Sequence, residues 1–549
     1  MKFRHISLSV IAAASLLTSC DLDEKFYSSV TPDTFITSPE NTYAILCRPF
    51  THWKWYLGAD RWYLQELTTD EMVCPVRGND FYNNGEYIRL HEHTWNGDDR
   101  FVENTWTGTL SAIARTLEAK EDIQGIDYVG LGLDEETKND HINQLNAIAG
   151  WYYMRGLDYF GGLPIYYSNQ DSPCARATDV ETFNYCEQLF TEAIPLIRAK
   201  ATLGEAQDGY IRKAAVALML AELYFNAEAY GAGDHYDQAA AICQDIIDGK
   251  YGPYKLDDTW YGPHTFTNDQ SPEAIWYVPS ANSKMEYNWY YRYFYHGKAD
   301  VVFDVTFPAS RYNGFQLSPS REYENGPIMD YKLGNTYEKY NDADLRKKQY
   351  RYLGNGQYEG MFLVGPQANP ETGAPMTGSK DLNGVQINHC DYVNVTGNRS
   401  TMMDGSEQSG IRLVKMPIPT RADQNMLWDP DFPCMRLTEV YYMLAECKWR
   451  KGDKEGAAKL FNQVRQRNFR SGYDPDPVTA ANLDVYRVAD EWQIEFLGEG
   501  RRRTDLIRLD LFTKGSWWTH NPTSDVKKRF PLPSSAIAGN PLLVQNPGY

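Results

Sequence analysis

The chain has 549 residues, of which 42% are hydrophobic, so it can bury a large globular core and has length enough for several domains. Its formal net charge is -19, and loss of Lys2 and Arg4 with a leader makes the rest more negative still. Nucleic acid and anionic lipid surfaces are therefore poor partners, because binding phosphate requires a basic face.

Residues 1–19 read as a secretory signal peptide: Lys2 and Arg4 precede an apolar run from Ile6 to Leu17. That run is shorter than the about 20 apolar residues a membrane-spanning helix needs, and no other stretch approaches that length. It ends in Leu17-Thr18-Ser19-Cys20. This resembles the lipobox of bacterial lipoproteins, which implies cleavage before Cys20 and a diacylglycerol with acyl chains such as palmitate on its sulfur. Residues 20–40 are polar, acidic and proline-containing, and read as a tether.

From residue 41 onward, helices are predicted near 100–122, 136–160, 180–199, 209–229, 234–248, 434–451, 454–468 and 485–513. Between them, residues 250–433 are rich in Gly, Pro, Asn, Asp and Tyr, with short apolar runs. That texture predicts irregular loops, a few short strands and some helix.

Two helix pairs share one plan. Ala214, Ala217, Leu218, Ala221 and Tyr224 precede a turn at Gly231 and Gly233. A second stripe follows, made of Tyr236, Ala239, Ala240, Cys243, Ile246 and Ile247, with Asp234 as its cap. Leu437, Val440, Tyr441, Leu444 and Ala445, a turn at Gly452, and Ala457, Leu460, Phe461 and Val464 repeat the pattern. Small residues at the crossing are those of tetratricopeptide-like hairpins, which bury their apolar faces only by stacking. The gap between the pairs excludes a simple tandem array in sequence, so the helices near 100–160 and 180–199 are expected to stack with them. The fold class is mainly α: a helical-hairpin scaffold at about 41–249 and 434–549 carrying a loop-rich insertion.

Cysteine use predicts no disulfide framework. Besides Cys20 the chain has Cys47, Cys74, Cys174, Cys186, Cys243, Cys390, Cys434 and Cys447, with no CxxC pair, and Cys243 and Cys447 fall on apolar helix stripes. Tyr 40 and Trp 14 together outnumber Phe 22, and such an excess of rings with polar edges implies wet aromatic surface. The run Lys284 to Gly297 places Tyr287, Trp289, Tyr290, Tyr291, Tyr293 and Tyr295 within nine positions, too dense for all to be core.

Enzyme motifs are absent: there is no GxSxG, P-loop or dinucleotide fingerprint. On a strand, His91-Glu92-His93 would put two imidazoles on one side, but a third metal ligand is missing and the spacing is not HExxH. Asp70-Glu71 and Asp98-Asp99 carry no motif that marks a glycosidase pair, which is defined by separation in space. No cofactor is expected.

Three segments carry a specific resemblance: MRLTEVYYMLAECKWRKGDKEGAAKLFNQVRQRN, DEWQIEFLGEGRRRTDLIRLDLF and the close PLPSSAIAGNPLLVQNPGY. They resemble the SusD-like (RagB/SusD) family of outer-membrane lipoproteins of the Bacteroidetes. QELTTDEMVCPVRGND and DYFGGLPIYYS agree, so the resemblance covers nearly the whole of 41–549 as one domain. Trp492 follows Glu491 where many members have Arg, which puts one local salt bridge in question. Asp21, Asp23 and Glu24 resemble surface-export signals.

The resemblance implies a non-enzymatic lid on a SusC-like, TonB-dependent barrel transporter, tethered through Cys20 to the outer face of the outer membrane. Four hairpins would face the transporter, and a shallow surface of loops would hold an oligosaccharide, largely by aromatic stacking. The matching ligand residues are Arg77, Asp80, Trp95 and Asn96 from the N-terminal part, with Tyr287, Trp289, Tyr290 and Tyr291 from the insertion. Arg77 and Asp80 would hydrogen-bond vicinal hydroxyls while rings stack on sugar faces. For Arg501-Arg502-Arg503, the resemblance and the nearby Glu499 and Asp505 imply a helix bracing its neighbours by ion pairs. The competing readings are a tethered glycan-cleaving enzyme, a protein-binding repeat scaffold and a peptide-binding relative.

Overall fold

The computed structural model describes residues 36–280, 290–307, 309–395, 399–418 and 430–549. Cys20, the leader and most of the tether lie outside the described residues.

The helices before the insertion are α1 Pro39–Leu57, α2 Ala59–Glu66, α3 Glu86–Glu92, α4 Arg100–Gly125, α5 Glu135–Phe160, α6 Asp179–Ala193, α7 Lys213–Phe225 and α8 Tyr236–Ile247. The insertion holds α9 Tyr290–Phe294 and α10 Asp300–Phe303. After it come α11 Leu437–Arg450, α12 Lys454–Arg465, α13 Val485–Phe496, α14 Arg502–Arg508 and α15 Ser534–Gly539. Local chemistry sets these bounds. Asp134 accepts from the Thr137 amide at 2.7 Å to open α5, and Thr178 with Glu181 forms a capping box on α6. Asp234, one residue before the cap of α8, accepts from the Tyr236 amide at 2.9 Å.

Two predicted spans change. Residues 434–436 belong to a strand, so α11 begins at Leu437. The single helix expected over 485–513 is two, because Gly498 (φ 77°) and Gly500 (φ 78°) take left-handed backbone that ends α13 before α14 starts.

The scaffold is a run of eight helices, each packed on the next: α1, α4, α5, α6, α7, α8, α11 and α12. The insertion does not break this run, because α8 packs directly on α11 although about two hundred residues separate them. Cys243 and Cys447, both buried, lie on these two helices. All eight cysteines of the described residues are free thiols.

Strands in the described residues pair two by two, all antiparallel. β1 Met72–Val73 pairs with β3 Gln316–Leu317, and β2 Ala274–Val278 with β10 Phe432–Arg436. The other pairs are β4 Arg351–Gly354 with β5 Gln357–Glu359, β6 Phe362–Leu363 with β9 Arg412–Leu413, and β7 Gly365–Pro366 with β8 Asn388–His389. The β2–β10 pair ties the insertion at its mouth, and Trp276 on β2 stacks on Trp53 of α1 with centroids 3.9 Å apart.

Buried ion pairs brace the C-terminal part of the scaffold, two of them against its N-terminal part. Arg502 bonds Asp70 at 2.8 and 2.9 Å, Arg503 bonds Asp158 at 2.9 Å, and Arg501 bonds Glu439 at 2.6 Å and Asp505 at 2.9 Å. The arginine triplet is thus a brace. Glu491 accepts from Arg465 at 2.8 and 2.9 Å and from Arg487 at 2.9 Å, so the neighbouring Trp492 does not cost that carboxylate its partners. Its indole instead donates to Glu446 at 2.8 Å.

Acid should weaken this network. Burial alone would push the Glu495 carboxyl up, but Arg436, Arg467, Arg346 and Lys415 outweigh it and hold it at about 2. The unfolded chain therefore binds the extra proton first as pH falls. The stabilisation is fully present above the ordinary glutamate pKa of about 4.3 and is lost as pH falls toward 2, about 3 kcal/mol for this one group. Thermal unfolding is expected to show a clear drop in Tm from about pH 5 to about pH 3, and a level Tm across that interval would contradict the assignment.

Candidate functional site

The site grows from the β1–β3 pairing. Register Val73↔Gln316 brings the segment after β1 beside residues 312–316. Phe315 locks the second segment: it is fully buried, stacked on Tyr293 at 5.0 Å and packed edge-on to Tyr63 at 5.1 Å. Gly314 next to it has no alternative, because the Phe81 ring occupies the place a Cβ would take. The end of α9 is pinned to the same segment, since Arg292 O accepts from the Tyr312 amide at 2.6 Å and Tyr295 O from the Asn313 amide at 3.0 Å.

A cleft of about 570 Å³ opens there, within the range of small-ligand sites. Three stretches line it: Arg77–Asp80, His296–Gly297 with Arg311–Asn313, and Ser379–Asp381 with Gly405 and Glu407. Arg77, His296, Asn313 and Glu407 are buried at its floor, whereas Asn79, Tyr312, Ser379, Lys380 and Asp381 are exposed at its mouth. The loop 78–85 is unusually rich in left-handed backbone, at Gly78, Phe81 (φ 64°), Asn83, Asn84 and Gly85, and Asn313 across the cleft has φ 58°. For a ring as large as Phe81 this conformation costs roughly 1–3 kcal/mol, the kind of strain that concentrates at binding sites.

Arg77 and Asp80 both line the cleft but do not pair with each other through their side chains. Their backbones close a tight turn, with amide-to-carbonyl bonds of 3.0 and 2.9 Å. Arg77 donates to Ser406 O, to Gly314 O at 3.3 Å and to Gln316 Oε1 at 2.7 Å. Asp80 pairs across the mouth with Lys380. Glu407 anchors the facing loop: it accepts from the amides of Ser379 (2.9 Å), Lys380 (2.9 Å) and Leu382 (3.1 Å) and from His296 Nε2 (3.0 Å). Burial opposes its charge, yet these donors prevail and hold the carboxyl at about 2.

Trp95 and Asn96 do not join this site. Trp95 is 2% exposed, packs on Phe530 at 4.7 Å and donates to the Tyr549 hydroxyl at 2.9 Å, so it offers no face to a sugar. Asn96 is exposed but occupied in the turn that starts α4, where its side chain accepts from the Asp98 amide at 2.9 Å. Tyr287 and Trp289 lie outside the described residues, as do the side chains of Tyr290 and Tyr291. Farther along the run, Tyr295 is core against Phe303, with centroids 4.9 Å apart.

Sequence reasoning did not single out Tyr312, 44% exposed at the cleft mouth. Its signal was local: the Asn-Gly directly after it favours left-handed backbone, which Asn313 adopts at φ 58°. Lys380, Ser379 and Glu407 carried no signal, since only the fold brings them to residue 77.

His91 and His93 are on the end of α3 and its cap, not on a strand. Both are buried and bonded: His93 Nε2 meets Thr68 O at 2.7 Å, and His91 Nε2 meets Trp518 O at 3.0 Å. No cluster of three or more metal-ligating side chains occurs among the described residues. Asp99 pairs with Arg89, and Asp70 with Arg502. Two other cavities are less suited to a polar ligand. One of about 60 Å³ is closed in by ion-paired Arg155, Glu222, Glu439 and Arg501, and one of about 260 Å³ is walled largely by Leu46, Phe50, Trp53, Val278 and Pro279.

The architecture is thus a continuous helical-hairpin scaffold with a polar cleft formed on the loops set against it. The SusD family model matches residues 272–549, and the chain belongs to that family. The starch-binding protein SusD of Bacteroides thetaiotaomicron is 34% identical over 129 residues, 22% of this chain and 22% of that protein, so the matched stretch spans under a quarter of that relative. Among solved structures, surface glycan-binding protein A from Bacteroides uniformis superposes with a TM-score of 0.64 at 16% identity, covering 92% of this chain and 99% of that one. Surface glycan-binding protein A from Bacteroides thetaiotaomicron in complex with laminarihexaose gives 0.63 at 15% identity, covering 93% and 100%. At these identities the likeness is one of fold.

Proposed function

We propose that this protein is a cell-surface glycan-binding lipoprotein, anchored in the outer membrane through Cys20, that captures an oligosaccharide and delivers it to a SusC-like TonB-dependent transporter. The observation that carries this reading is the cleft where the 77–80 turn, the segment that continues the aromatic run, and the 379–407 loops converge. Its mouth offers Tyr312 as a stacking face and Asn79, Asp80, Ser379 and Lys380 as hydroxyl partners, the mix a sugar site needs. Family membership and relatives named for starch or glycan binding support the ligand class. No helix among the described residues is long and apolar enough to cross a membrane.

Binding without cleavage fits the cleft's carboxylates. Glu407 has its oxygens filled by donors and stays ionised, and Asp80 is held by Lys380. Neither is placed as a general acid. The experiment that tests the whole reading uses Cys20→Ala. The variant is expected to bind its glycan in solution as the mature protein does, yet to fail to support growth on that glycan. Without the tether the local concentration over the transporter collapses. Normal growth, or failure of the wild type to co-purify with any large barrel protein, would refute the delivery step.

A further inference from the structure

The following rests on the cleft being the glycan site. Two guanidinium groups lie at and beneath its floor. Arg77, 6% exposed and lining the cleft, has only the two carbonyls and the Gln316 amide oxygen as acceptors, and its Nε has none. Arg412, fully buried, donates to Ser409 O (2.6 Å), Gly410 O (2.7 Å) and Asn313 Oδ1 (2.8 Å). Every one of these acceptors is neutral. Among the described residues neither arginine has a carboxylate within 4.0 Å.

Several other buried arginines of the chain are treated differently. Arg346, Arg436, Arg465, Arg502 and Arg508 each meet at least one carboxylate at 2.9 Å or closer, or at 3.0 Å for Arg508 with Glu446. An unpaired buried cation is unfavourable, and two near each other more so. Burial and then the neighbouring Arg77 push Arg412 well below the usual arginine range, and burial pushes Arg77 down to about 10.

None of the carboxylates around the cleft bonds either guanidinium. Glu407 is spent on the backbone amides and His296, Asp80 on Lys380, and Asp300 on Arg311. Asp381 is exposed at the rim, where it accepts from the Glu407 amide at 3.3 Å. Within a chain of net charge -19, two buried guanidinium groups thus lie at and beneath the cleft with no carboxylate bonded to either. A sugar hydroxyl answers them only with a dipole. A carboxylate or sulfate answers them with a full charge.

We infer that the cleft selects acidic glycans, seating an anionic substituent of the sugar over Arg77 between the 77–80 turn and the 379–381 loop.

The test is titration of the mature wild-type protein with a panel of glycans in which each acidic member is paired with its own neutral form, uronates with their carboxyl-reduced forms and sulfated chains with their desulfated forms. The acidic member of one pair is expected to bind at least about tenfold tighter, about 1.4 kcal/mol. Raising salt from about 0.05 M to about 1 M, which cuts the screening length to about 3 Å, should erode the preference. Arg77→Met should abolish it. Whichever pair shows the ratio separates carboxylate from sulfate. Equal binding within every pair, or binding of neutral members only, overturns the acidic selectivity and leaves the glycan reading standing. No binding by any member overturns the glycan reading itself. The comparison within pairs is made on wild type, so it holds whether or not Arg77→Met folds.

Discussion

Replacing Arg436 by alanine is expected to destabilise the protein by about 3–5 kcal/mol, a large fraction of the about 5–15 kcal/mol that holds a domain together. Arg436 is 1% exposed and serves three carboxylates at once: Glu495 at 2.9 Å, Glu499 at 2.9 Å and Glu273 at 3.4 Å. Its guanidinium also lies 4.3 Å from the centroid of Phe496. It stands at the end of β10, where the insertion returns to the scaffold, and Glu495 and Glu499 stand at the end of α13 and just after it. Removing the cation leaves buried negative charges facing one another, and the cost is that of the orphaned partners rather than of the bond itself. Arg48→Ala, which breaks the half-exposed pair with Asp122, is expected to change stability by less than about 1 kcal/mol. Denaturant midpoints of the two variants check both statements. Near-equal midpoints would show that the ion cluster does not hold the insertion to the scaffold.

Much of the scaffold was legible because helical periodicity is a local signal. The stripe through Ala214, Leu218 and Ala221 and the one through Ala239, Cys243 and Ile246 each follow from spacing alone, and both helices lie where the pattern put them. The break at Gly498 and Gly500 was written in the residues as well, although the span 485–513 reads as one helix. What no local pattern carries is the adjacency of α8 and α11 across the insertion, because that contact is closed by β2 pairing with β10 and by buried charges distant in sequence.

The site shows the same division. Arg77 and Asp80, to which the resemblance pointed, line the cleft. Trp95 failed for a physical reason: a tryptophan whose indole finds a partner, here Tyr549, is as content in the core as on a surface. The far wall, Ser379 to Glu407, was invisible because its residues lie about three hundred positions from Arg77 and gain meaning only once Lys380 meets Asp80.

Affinity electrophoresis of two cleft variants, in gels cast with a bound glycan, shows whether sugar is held in this cleft. Tyr312→Ala removes the exposed ring, and Lys380→Ala removes a charged donor at the mouth; both side chains are exposed, so neither should lower Tm appreciably. Loss of the ring is expected to cost about 2 kcal/mol of binding, roughly thirtyfold, and the double variant should run unretarded. Trp95→Ala serves as the contrast, since a core cavity there should lower stability by about 3–5 kcal/mol. Full retardation of the double variant, at an unchanged Tm, would contradict the account and place the sugar elsewhere on the molecule.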